Sequence, residues 1–201
     1  MSMSFVFQTN HSCWLFNVDD MTLSSSNKNH LLDYNLTQIT PYVYVSSEEP
    51  VRLNRQILVN KIDCIINVAC ELPHLVYPPH CRIQSFKYPI EDLPNFPAIC
   101  YFDAIADRIA RNVASNRRTL IYCRYGRSRS ITFILAYLIK YHRLPLLAAF
   151  QLVQNQRRTA LPNIGFWTQL KLYETNYIEK NTLMKRLFPY RKHSSPLLIL
   201  F

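Results

Sequence analysis

The chain has 201 residues, 49% of them hydrophobic, and a formal net charge of +10. That length suffices for one well-buried core, but the longest near-continuous apolar run, Ile131 to Ile139, contains Thr132 and is too short to span a bilayer. Six scattered cysteines (Cys13, Cys64, Cys70, Cys81, Cys100, Cys123) show neither a paired metal spacing nor a small-domain disulfide pattern.

Residues 1–33 carry polar clusters such as Ser24 to His30 and no sustained period, so they read as a mobile leader in which Trp14, Leu15 and Phe16 are the residues able to dock. The stretch Phe5 to Phe16 is interrupted by Q-T-N-H-S, unlike a secretory signal. Together with the cysteines this favours a soluble protein of a reducing compartment, the cytoplasm first and the nucleus second. From Asp33 the pattern turns α/β. Strands are expected at 43–45, 64–68, 83–88 and 119–122, with helices at 51–60 and 99–114 and three more at 129–142, 145–157 and 163–180. The alternation predicts a central sheet with helices packed on it and a site at the carboxyl end of a strand. The domain is expected over 34–180, followed by a basic and apolar tail over 181–201 that packs on the domain or lies against an anionic surface. Only two glycines occur, Gly126 and Gly165, which marks both as places of unusual dihedrals or close approach.

The stretch from Ile121 reads I-Y-C-R-Y-G-R-S-R-S. A buried strand delivers Cys123, and the following loop of Arg124, Tyr125, Gly126, Arg127 and Ser128 turns into a helix near Arg129. Such a loop aims consecutive backbone N–H groups and the positive end of the helix at one point. A tetrahedral oxyanion fits there, and Arg129 can grip two of its oxygens in a fork that lysine cannot reproduce. The same field favours the thiolate, the reactive form of cysteine. A thiolate beneath a bound phosphate can attack phosphorus in line, with loop amides and Arg129 stabilising the equatorial oxygens. That chemistry needs neither metal nor cofactor.

These residues resemble the protein tyrosine phosphatase superfamily, specifically its small atypical dual-specificity phosphatases, whose loop usually reads H-C-x-x-G-x-S-R-S. The likeness extends through Q-I-T-P-Y-V-Y-V-S, I-I-N-V-A, A-Y-L-I-K-Y and L-P-N-I-G-F-W-T-Q-L, from about Leu36 to Glu179. It implies a mixed sheet flanked by helices and hydrolysis of phosphotyrosine and phosphoserine or phosphothreonine in proteins through a phosphocysteine. It also implies a general acid in Y-P-I-E-D-L-P-N, with Asp92 at the acid position and neighbouring Glu91 as its rival. Pro89, Pro94 and Pro97 stiffen that exposed loop. By the same resemblance, Ser130 donates to the departing thiolate and Asn163 braces the phosphate loop, while Asn163 reads equally as the N-cap of the last helix.

The principal departure is Tyr122, where the family usually has histidine. A phenol can replace part of the hydrogen bonding but carries no positive charge near neutral pH, so slower turnover is expected. The limiting alternative is a pseudophosphatase that binds phosphorylated partners with little turnover. Arg124 and Arg127 stand where phosphoinositide phosphatases of the superfamily carry lysines, and Arg157 and Arg158 are expected near the mouth. Phosphoproteins rank first as substrates, phosphoinositides or other acidic lipid headgroups second, and RNA third. Nucleic acid is disfavoured because the basic residues are dispersed and no RNA-binding motif accompanies them. Nothing in the sequence specifies an oligomeric state.

Overall fold

The computed structural model describes residues 4–9, 12–17, 35–53 and 55–187. Strands β1 (Ser4–Thr9) and β2 (Ser12–Asn17) pair antiparallel, with Phe5 opposite Phe16. These strands are an addition to the expected elements: two runs rich in aromatic and branched residues, separated by two positions, have hairpin spacing. The side chains of Trp14, Leu15 and Phe16 lie outside the described residues.

The main sheet has five strands in the order β3 (Thr37–Thr40), β4 (Val43–Ser46), β7 (Thr119–Tyr122), β5 (Cys64–Asn67) and β6 (Gln84–Lys87). β3 is antiparallel to β4 and the remaining neighbours are parallel, so the sheet is mixed as expected. β3 is an addition to the expected strands. Its four residues lack clear alternation, and a register shift between Gln38 and Thr40 breaks the period by which an edge strand is read. The central strands β4, β5 and β7 are buried at every position, which is why they read as continuous apolar runs.

The expected helix at 51–60 is two short ones, α1 (Glu48–Arg52) and α2 (Arg55–Val59). α1 starts ahead of Pro50 because a proline in the first turn forfeits only an N–H that the helix leaves unbonded. Glu48 and Glu49 complement the helix dipole there. α3 (Ile99–Ala114) and α4 (Arg129–His142) coincide with the expected spans, and α5 (Leu146–Gln156) falls one residue short at each end. α6 (Ile164–Leu187) continues past the boundary expected at residue 180, and residues 188–201 of the expected tail lie outside the described residues.

α4 is buried without interruption from Arg129 to Ile139, as a helix apolar on all sides must be. α3, α5 and α6 pack around it. Phe102 of α3 meets Phe133 of α4 edge-to-face at 5.8 Å and Tyr173 of α6 at 5.2 Å, joining three helices through aromatic contacts worth about 0.5–1.5 kcal/mol each beyond burial. Among the described residues Cys64, Cys70, Cys100 and Cys123 are free, whereas Cys81 is disulfide-bonded. No helix among the described residues is long and apolar enough to cross a membrane.

Arg157, expected at the mouth of the pocket, is instead 1% exposed at the end of α5. Its Nε donates to the carbonyl of Gly126 at 2.7 Å, and Nη1 donates to Thr37 Oγ1 at 2.9 Å and to the carbonyl of Asn35 at 3.2 Å. A guanidinium with several donors is better placed joining loop, edge strand and helix than facing solvent. Arg157→Met strands the buried Gly126 carbonyl at about 1–3 kcal/mol and also removes the two part-buried bonds to Thr37 and Asn35. Urea unfolding should therefore show a loss of about 2 kcal/mol or more, whereas a change inside about 0.5 kcal/mol would remove Arg157 from this role.

Candidate active site

Four parallel strands end at one edge of the sheet, and their outgoing segments build the site. β7 is central: Tyr122, its last residue, pairs in register with Ser46 of β4 and Asn67 of β5. Cys123 therefore leaves the middle of the sheet with a loop on either side. Its thiol is 1% exposed and receives the Gly126 N–H at 3.2 Å. Ser130 Oγ lies 3.3 Å from the sulfur. Gly126 sits at φ +63°, and a Cβ there would stand 2.6 Å from the backbone of Ser46 and 2.7 Å from Arg157. Glycine is required on both counts, because only it takes the left-handed turn while letting β4 approach.

Arg129 opens α4 with a side chain 4% exposed, and a buried charge needs a partner. That partner is Glu71, on the segment after β5. Arg129 Nη1 and Nη2 each donate to one carboxylate oxygen at 2.6 Å, and Nη1 also donates to the carbonyl of Ile90 at 3.1 Å. Burial opposes the Arg129 charge, but the Glu71 hydrogen bonds and the Cys123, Glu71 and Asp92 charges outweigh it and raise the arginine further. Nε is buried with no hydrogen-bond partner among the described residues. Of five guanidinium donors, Glu71 and Ile90 take three, leaving Nε and the second hydrogen of Nη2 as a fork with the geometry to hold two oxygens of an oxyanion.

The sequence reading omitted Glu71, although a carboxylate shortly after I-I-N-V-A is the sort of counter-charge a buried arginine demands. Its own segment is fastened from two sides. Lys87 of β6 donates through Nζ to the carbonyls flanking Glu71, those of Cys70 at 3.1 Å and Leu72 at 2.6 Å. Asn67 donates to the carbonyl of Pro73 and accepts from the Ala69 N–H.

The segment after β6 carries the expected acid. Asp92 Oδ1 accepts from Ser128 Oγ at 2.6 Å and from Asn163 Nδ2 at 2.8 Å, and Oδ2 lies 3.6 Å from Arg129 Nε. Glu91 and Asp92 are both exposed, and of the two carboxylates it is Asp92 whose Oδ1 hydrogen-bonds Ser128 of the loop. Asn163 contacts this cluster through its backbone N–H and Nδ2, and its Oδ1 accepts the Phe166 N–H at the start of α6. Gly165 explains how α6 comes so near. A Cβ there would fall 1.8 Å from the Pro94 carbonyl oxygen, so the helix lies directly against the acid segment.

Tyr122 is 2% exposed, and burial, followed by the nearby Tyr77 and Glu48, pushes its phenol above the ordinary tyrosine value. It stays neutral and adds no cation where histidine is usual. Arg124 is half-exposed and 3.5 Å from Glu48, and Arg127 donates through Nε to the carbonyl of Thr159 at 3.2 Å. Arg158 is exposed and Arg157 is withdrawn, so the mouth is less basic than expected. Among the described residues no group of three or more His, Cys, Asp or Glu is placed to hold a metal ion.

Comparison with known proteins agrees with this geometry. The family described as dual specificity phosphatase, catalytic domain, matches residues 43–176. Human dual specificity protein phosphatase 14 is 36% identical over 156 residues, covering 77% of each chain. Human dual specificity protein phosphatase 18 is 38% identical over 148 residues, 74% of this chain and 77% of that one. The crystal structure of human DUSP28 superposes with a TM-score of 0.66 at 28% identity, covering 70% of this chain and 93% of that one. The chain belongs to the dual-specificity phosphatase family, and it is a protein phosphatase that acts on phosphorylated proteins.

The hydrogen bonds from Arg129 lower the Glu71 carboxyl from its ordinary 4.5 to about 2, against the opposite pull of burial. A folded-state value below the unfolded one means stabilisation that is present above about pH 4.5 and lost as pH falls toward 2. The stability advantage of the native protein over Glu71→Gln should therefore be constant near neutrality and shrink across that acid window. An advantage independent of pH would show that the pairing does not titrate. Lys87→Met should leave the fold intact and weaken vanadate binding about tenfold, equivalent to about 1.4 kcal/mol. Unchanged vanadate affinity would mean that Glu71 holds its place without the lysine.

Proposed function

We propose that Cys123 attacks the phosphorus of a phosphorylated side chain while Arg129 and the loop N–H groups hold its equatorial oxygens. The supporting observation is the buried, unbonded Nε of Arg129 in a pocket whose sulfur is contacted by the Gly126 N–H and Ser130 Oγ. The S–P bond forms as the P–O bond to the protein breaks, and the departing oxygen takes a proton from the Asp92 carboxyl. Asp92 as carboxylate then removes a proton from water attacking the phosphocysteine. Inorganic phosphate leaves, and Ser130 donates to the thiolate as the S–P bond breaks. The Ser128 and Asn163 contacts to Asp92 aim the acid at the loop and keep it within reach.

A protein substrate is favoured over a phosphoinositide because Glu48 already opposes the Arg124 charge and the relatives are named protein phosphatases. A nucleophile that must remain a thiol favours the cytoplasm, with the nucleus second, whereas the disulfide at Cys81 is the mark of an oxidising setting.

Aryl phosphate hydrolysis, followed over about pH 5 to 8, should vanish in Cys123→Ser and fall by roughly 10²–10⁴-fold in Asp92→Asn. Persistent hydrolysis in Cys123→Ser would refute the mechanism. Tyr122→His restores a cation-capable group behind the loop and should raise kcat about tenfold, about 1.4 kcal/mol off the barrier. An unchanged or lower kcat would show that the phenol is not what limits turnover.

A further inference from the structure

Three segments meet around the sulfur, and hydrogen bonds and a close backbone contact lash them together. The Leu161 N–H donates to the Arg127 carbonyl at 2.8 Å, the Asn163 N–H donates to Ser128 Oγ at 3.2 Å, and Gly165 lies against Pro94. Each segment turns a large apolar side chain outward beside a residue of the site. Leu93 follows Asp92 and is 49% exposed, and Tyr125 stands within the loop at 51%. Leu161 and Ile164 flank Asn163 at 60% and 73%. An exposed leucine alone needs no explanation. Four such side chains on three segments joined around one pocket form a rim, and whatever delivers a phosphate to Cys123 must lie across it. The charges there do not favour an acidic flank: Arg124 is already opposed by Glu48, and Glu91 on the acid segment is exposed and negative.

We propose that Leu93, Tyr125, Leu161 and Ile164 select phosphoproteins with large apolar residues on either side of the phosphorylated one. This inference rests on the Cys123 loop being the phosphate pocket. The phosphate supplies common affinity through Arg129, whereas the rim discriminates by removing flanking apolar surface from water, with no new charge pair needed. The substrate is thus read at two levels, the phosphoryl group in the buried pocket and its neighbours on the exposed lip.

Three phosphopeptides that differ only in Leu, Gly or Glu flanks test this, with affinities measured on Cys123→Ser so that turnover does not enter. The Leu-flanked peptide should bind about tenfold tighter than the other two. Adding Leu161→Ser and Ile164→Ser should bring all three within about twofold. The same two substitutions, made with Cys123 intact, should leave p-nitrophenyl phosphate hydrolysis unchanged. Equal affinities, a preference for Glu flanks, or a Leu preference that survives the rim substitutions would overturn the proposal. So would tighter binding of Cys123→Ser to phosphatidylinositol phosphate vesicles than to the Leu-flanked peptide. Failure of the cysteine mechanism would register separately, as aryl phosphate hydrolysis that persists without Cys123.

Discussion

Everything in the site depends on a buried positive charge that must be held still. Arg129 lies at the start of a helix with no exposed face for eleven residues, and an isolated guanidinium there would cost several kcal/mol. Glu71 resolves this with two hydrogen bonds of 2.6 Å and so decides which edge of the guanidinium remains for phosphate. The carboxylate is itself placed by Lys87 and Asn67 through backbone carbonyls on either side. The position of Arg129 is therefore set by the outgoing segments of β5 and β6 as much as by the loop that carries Cys123.

Backbone proximity is the second constraint. The two glycines of the chain are the two places where one element must touch the backbone of another, Gly126 against Ser46 and Gly165 against Pro94. The first brings the phosphate loop over the end of β4, and the second brings α6 down on the acid segment. Arg157, withdrawn from the surface, completes the arrangement by holding the Gly126 carbonyl from behind. Cys123, Arg129 and Asp92 thus share one framework, in which Ser128 touches both Asp92 and the Asn163 segment. Neutral Tyr122 beneath this framework leaves the electrostatic work to the N–H groups, the helix end and Arg129.

Local chemistry was legible in the sequence. C-x5-R between a buried strand and an apolar helix marks Cys123, Arg129 and Ser130 because strand, loop and helix are contiguous, so their relative geometry follows from spacing. The spans of α3, α4 and β7 were readable for the same reason: long amphipathic or wholly apolar periods leave little choice. β1, β2 and β3 were not. Their residues mix polar with apolar types, so their identity as strands comes from the partner strand.

Tertiary structure alone decided which distant residues complete the site. Glu71 and Arg129 are 58 positions apart, Asp92 and Asn163 are 71 apart, and no periodicity links them. Arg157 shows the same limit from the other side. Its sequence neighbourhood suggested a pocket cation, whereas packing turned it inward to satisfy carbonyls, since a buried donor goes wherever acceptors would otherwise be stranded. The sequence by itself determined the reaction the loop can perform. The fold determined what holds that loop in working order, because the charge and hydrogen-bond balance of a buried group is settled only when all its neighbours are in place.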